Sequence, residues 1–145
     1  QTIDIWGVQV EEGSIATPFR RNSPNIQAEL AACQRYYYRK VAESTGAALA
    51  FGMVTNTTTI SQFTVFHPVP MRIAPALGSS GASTMGSDDG AAFRAGTAIA
   101  IATANSSTHT GFINFTYATA LTQYRPTRLL ANTNAAAYID FDAEL

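Results

Sequence analysis

Asp88 and Asp89 stand side by side near the end of Gly78–Gly90, a thirteen-residue run of small and polar residues, and Arg94 follows shortly after. Adjacent carboxylates beside a guanidinium can grip sugar hydroxyls or bind calcium. Two carboxyls roughly 5 to 10 Å apart across a cleft can cleave a glycosidic bond. Asp-Asp-Gly is equally an ordinary turn signal. Asp140 and Asp142 offer a second pair, but ten acids among 145 residues produce such pairs by chance. Asn105, His109 and Tyr124, with His67, are polar residues suited to the rim of a saccharide site, because a sugar hydroxyl both donates and accepts a hydrogen bond. They serve equally well to end strands and keep a weakly charged surface wet. The expected glycan-binding set is Asp88, Asp89, Arg94, Asn105, His109 and Tyr124, and no residue is assigned a catalytic role.

Cys33 is the only cysteine, which excludes an internal disulfide and a cysteine-based zinc site. No sequence neighbour supplies the base that an active thiol needs, so Cys33 is expected to be a small buried hydrophobe at a helix-to-strand junction. The two histidines, His67 and His109, lack HxH or HxxxH spacing. No metal and no cofactor are expected. Tyr36, Tyr37 and Tyr38 read as strand, with Tyr36 and Tyr38 on one face and Tyr37 on the other. Packing and subunit contact are their expected role, and Trp6 reads as a core anchor.

These groups sit in a chain that is 46% hydrophobic but only 13% charged, with a formal net charge of -1. The charged fraction is about half of the roughly 25% usual for soluble domains. One lysine, Lys40, and eight scattered arginines form no basic stripe, so nucleic acid is not an expected partner. No run approaches the ~18 apolar residues of a helical membrane span, and no membrane insertion is expected.

Period-two alternation dominates the chain. Phe63 and Val65 share a face against Gln62 and Thr64; Ile113, Phe115 and Tyr117 oppose Asn114 and Thr116; Ile139 and Phe141 oppose Asp140 and Asp142. Each reads as a half-buried strand. Between Gly96 and Ala104, Ile99 and Ile101 alternate with Ala98, Ala100 and Ala102, so neither face is truly polar. Such a strand is central to a sandwich or covered by a partner. One short helical turn is expected near residues 25–32, started by Ser23-Pro24. Pro68, Pro70 and Pro75 bracket an edge strand or a bend between sheets, and Gly78–Gly90 reads as a long loop. The fold class is all-β: an antiparallel β-sandwich, jelly-roll-like, spanning 26–145. Residues 1–25 are expected to be a connector and the last strand of an upstream module, because the strand 2–10 has no partner nearby in sequence.

The run Gln9-Val10-Glu11-Glu12-Gly13-Ser14-Ile15-Ala16-Thr17-Pro18-Phe19, followed by Ala28 to Tyr37 with its Cys-Gln-Arg-Tyr-Tyr, resembles the C-terminal region of bacteriophage tail fibre and tailspike proteins. The similarity continues in Pro68–Pro75 and in Ala137–Leu145, while the centre from about Leu77 to Asn134 matches in character but not in motif. The resemblance implies a non-enzymatic receptor-binding domain on the virion tail, exposed to the extracellular medium and recognising bacterial surface polysaccharide or lipopolysaccharide. A homotrimer is implied, in which several weak contacts add up; Tyr36, Tyr38, Ala98, Ala100 and Ala102 are its expected interface. Alternatives are a structural trimerisation or folding module at a fibre C-terminus, and a depolymerase domain.

Overall fold

The structure, a computed structural model, describes residues 10, 12–15, 17–18 and 25–144. The expected strand at 2–10 with Trp6 lies outside the described residues except for Val10, as do Ser23 and Pro24. The helix α1 (Ile26–Gln34) is capped by Asn25, whose side-chain oxygen accepts the Ala28 N–H at 2.9 Å. Asparagine suits this position because its short side chain reaches a free N–H of the first turn from an extended backbone. None of the helix's residues is buried, and Cys33 is exposed, which corrects the expectation of a buried thiol. The physical reason is local: Ile26 and Leu30 form an apolar stripe that nothing covers among the described residues.

Nine strands follow: β1 (Tyr37–Val41), β2 (Ala48–Val54), β3 (Ile60–Phe66), β4 (Ala76–Ser79), β5 (Met85–Asp88), β6 (Phe93–Ile101), β7 (Thr110–Tyr117), β8 (Pro126–Ala131) and β9 (Tyr138–Asp142). All pairings are antiparallel. Six strands close into a barrel in the order β2-β3-β7-β6-β5-β8, and β1-β9-β4 form a separate sheet. The all-β antiparallel class is therefore as the alternation indicates.

Alternation sends Ser61, Phe63 and Val65 of β3 and Ile113, Phe115 and Tyr117 of β7 into the barrel, where Phe63 and Phe115 meet edge to face at 6.4 Å. Two bulges change the phase. In β2 the register steps between Ala48 and Ala50, so consecutive Leu49 and Ala50 are both buried. In β6 it steps between Gly96 and Ala98. Gly96 faces inward, where a Cβ would lie 2.2 Å from the Phe115 ring. Beyond the bulge Ile99 and Ile101 pack against the core while Ala98 and Ala100 are exposed.

Gly78–Gly90 is not a loop but the end of β4, a 3-10 turn at Ala82–Thr84, and β5. Its small residues hide the strands from a hydrophobicity pattern because neighbours supply the bulk. Gly86 lies under the Phe93 ring, where a Cβ would sit 2.0 Å from Cζ. Residues 72–74 make a bend, not a strand. The three-stranded sheet stands over one barrel end and sends Tyr38, Ile139, Phe141 and Leu77 toward it. At the start of β7, Gly111 leaves room for the Phe141 ring, since a Cβ there would lie 2.1 Å from Cε1.

Candidate functional site at the barrel mouth

Because neighbouring strands are antiparallel, β2, β5 and β7 end where β3, β6 and β8 begin, at the barrel end away from the sheet. Three connections, 55–59, 89–92 and 118–125, therefore converge on one mouth. Hydrogen bonds join them. Leu121 N–H donates to the Thr58 carbonyl at 2.9 Å, Gln123 Nε2 to the Asn56 carbonyl at 3.2 Å, and Thr122 N–H to Asp89 Oδ2 at 3.1 Å.

The Asp89 side chain, only 1% exposed, is the clasp of this mouth. Besides Thr122, it accepts the N–H groups of Ala91 at 3.0 Å and Ala92 at 2.9 Å, and Arg125 approaches to 4.0 Å. Burial by itself raises a carboxyl pKa, but the hydrogen bonds from Ala92, Ala91 and Thr122 outweigh it and hold Asp89 at about 2. Asp88 is also engaged: Oδ1 accepts the Gly90 N–H at 2.7 Å and Oδ2 pairs with Arg128 on β8. Both carboxylates are thus engaged in holding the connections and β8 together.

Under the mouth lies a line of buried hydroxyls. Tyr117 OH is 2.9 Å from Ser61 Oγ, Ser61 Oγ is 3.1 Å from Ser87 Oγ, and Ser87 Oγ is 2.7 Å from Thr127 Oγ1. Thr127 donates to the Asp88 carbonyl at 2.9 Å, and a carbonyl can only accept. The proton direction is then fixed along the whole line: Tyr117 to Ser61, to Ser87, to Thr127, to the backbone. Burial and the nearby Asp89 charge both raise the Tyr117 pKa, so its phenol stays protonated and donating.

Tyr124 stands at the rim, 61% exposed, with φ +58. A non-glycine residue in the left-handed region is uncommon and strained. Two backbone bonds hold it there: Tyr124 N–H to the Val54 carbonyl at 3.1 Å, and Val54 N–H to the Arg125 carbonyl at 3.0 Å. Tyr124 stands exposed to solvent between Gln123 and Arg125 in the chain. Arg94 faces the inner side of β6 before the bulge, opposite Ser87; its Nη1 donates to the Phe93 carbonyl at 3.1 Å, and its buried Nε has no partner among the described residues.

The expected glycan set is thus divided. Asp88, Asp89, Arg94 and Tyr124 gather at the mouth. Asn105 and His109 lie in the β6–β7 connection at the opposite end, roughly 25 Å away along a strand. His67 is buried at that far end and is not a rim residue. Of the residues expected at an interface, Tyr36, Ala98 and Ala100 are exposed, Ala102 is partly covered, and Tyr38 turns inward to stack on Phe141 at 6.4 Å. It is Tyr37 that points outward from the strand. The apolar wall the sequence reading missed is Phe51 (66% exposed), Met53 and Phe66 (75% exposed) on β2 and β3. A groove of about 350 Å³ runs beside it, lined in part by Tyr38, Lys40, Phe51 and Phe66.

Among the described residues no group of three or more His, Cys, Asp or Glu is placed to hold a metal ion, and no helix is long and apolar enough to cross a membrane. Compared with protein-family models, curated proteins and solved structures, the chain matches none.

Proposed function

We propose that this chain is a non-enzymatic receptor-binding domain of a bacteriophage tail fibre or tailspike, displayed on the virion tail, that recognises bacterial surface polysaccharide or lipopolysaccharide through the barrel mouth. The observation that carries this reading is Tyr124, an exposed aromatic ring kept in a strained backbone conformation at the mouth, between Gln123 and Arg125 in the chain. An aromatic face stacks on sugar C–H groups while amides and hydroxyls bond the sugar's hydroxyls. The engagement of Asp88 and Asp89 in holding the loops argues for binding rather than glycoside hydrolysis, which needs a carboxyl free to carry a proton. A jelly-roll-like relation between the barrel and the sheet over its end belongs to the same reading.

The domain works as a homotrimer, so that weak single sites act together. The uncharged wall of Phe51, Met53 and Phe66 favours this, and it also favours the second reading, a structural trimerisation module that touches no receptor. Adsorption of the purified chain to host cells and to their extracted lipopolysaccharide, with and without Tyr124→Ala, decides between them. Binding that falls at least ten-fold in the variant supports a receptor site. A trimer that binds neither cells nor lipopolysaccharide supports the structural module, and release of free sugar from the polysaccharide overturns both.

A further inference from the structure

On the outer face of the three-stranded sheet, opposed residues of β1 and β9 put Tyr37, Arg39 and Val41 beside Asp142, Asp140 and Tyr138. Asp140 is buried, yet only one of its oxygens is used. Oδ2 accepts three bonds: Tyr37 OH at 2.6 Å, Arg39 Nη2 at 2.7 Å and Arg39 Nε at 3.1 Å. Oδ1 accepts none among the described residues, and it points at Gly78 of β4, where a Cβ would lie 2.0 Å from it. Lacking a side chain, Gly78 leaves the space that this oxygen occupies. The Arg39 guanidinium carbon lies over the Tyr138 ring, 4.0 Å from the centroid, and 5.5 Å from the Tyr37 centroid, with its Nη1 uncommitted among the described residues. Tyr37 is 39% exposed and Arg39's side chain 43%.

We propose that this face is a second saccharide site, taking a vicinal diol of a neutral pyranose, with Asp140 Oδ1 accepting from one hydroxyl and Arg39 Nη1 donating to the next. The pair is set by Tyr138, whose ring lies against the guanidinium, and by Tyr37, which bonds the spent carboxylate oxygen. Tyr37's exposed ring offers the C–H face of the sugar a surface. Neutral sugar is favoured over acidic sugar because Asp140 and Asp142 outnumber Arg39 on this face. The site stands on the sheet at the far end from the mouth and does not depend on the function assigned there.

The test is a titration of the full chain with the methyl α-pyranosides of mannose, galactose, glucose and fucose, followed by amide chemical shifts. Dissociation constants on the order of millimolar are expected for a site making two hydrogen bonds and one stacking contact. Shifts centred on 37–41 and 138–142 with at least one glycoside support the site. They should weaken at least ten-fold in Gly78→Ala, whose Cβ would displace Oδ1, and in Arg39→Lys, which keeps the charge but loses the fork. Tyr124→Ala should leave them unchanged. If Gly78→Ala does not fold, Arg39→Lys alone carries the comparison. No shift at the sheet with any of the four glycosides, shifts confined to 55–59 and 118–125, or full binding by a folded Arg39→Lys chain would overturn the proposal.

Discussion

The imidazole of His67 lies 4.8 Å from the ring of Phe141, centroid to centroid, and this contact joins the barrel to the sheet that stands over it. His67 Nδ1 is 3.1 Å from the Thr108 carbonyl, an acceptor only, so Nδ1 carries the proton. Nε2 is buried with no partner among the described residues, and protonating it would place an uncompensated charge beside Phe141 and Tyr38.

Stability should therefore fall in mild acid. Burial lowers the His67 pKa below its usual 6.5, with the nearby His109 acting in the same direction and the Thr108 bond opposing. Between the folded and unfolded values the unfolded chain binds more protons, so stability is complete above about pH 6.5 and declines as pH falls toward the folded pKa. Urea midpoints measured between about pH 7.5 and 5 should show this slope, and His67→Phe should flatten it.

Asp89 governs a second, more acidic limb. Its folded pKa of about 2 lies below the usual 3.8, so its contribution is present above 3.8 and is lost as pH falls through about 2. Asp89→Asn turns one acceptor into a donor facing N–H groups and should destabilise the chain by about 1–3 kcal/mol. Urea unfolding at neutral pH reads the loss, and the acidic limb should shrink with it.

At position 124, stability and binding should move in opposite directions. Relative to Tyr124→Ala, Tyr124→Gly should be more stable by about 1 kcal/mol, because glycine adopts φ +58 without strain. Both variants should lose adsorption to host lipopolysaccharide. Equal stability of the two would mean that the backbone strain at this rim is not real.

The buried hydroxyls predict an order of damage. Ser61 both accepts from Tyr117 and donates to Ser87, so Ser61→Ala leaves a buried phenol unpaired and should cost about 1–3 kcal/mol. Tyr117→Phe removes the first donor and leaves the Ser61–Ser87–Thr127 bonds intact, and should be the milder change in thermal unfolding.

Replacing Phe51 and Phe66 together by serine should leave the fold in place, since both side chains are exposed. Light scattering should then report monomer, against the trimer proposed for the parent chain. Unchanged mass in the double variant would move the subunit contact elsewhere, for example to Ala98 and Ala100.

The residues themselves determined the strands around Phe63, Phe115 and Phe141, because side-chain direction in an extended chain alternates by local geometry whatever lies across from it. The inward hydroxyls of Ser61 and Thr127, beside buried Phe63 and Leu129, emerged only from the assembled barrel, because their partner Ser87 lies on a strand that the alternation does not mark. The residues by themselves could not reveal β4 and β5: Gly78 and Gly86 leave no apolar trace, since the bulk that covers them belongs to Asp140 and Phe93 on other strands. Nor could they separate Asp88, Asp89, Arg94 and Tyr124 from Asn105 and His109. Which barrel end a residue occupies follows from closing β2 and β5 onto β8, pairings between segments far apart in sequence, and that closure is a property of the assembled barrel alone.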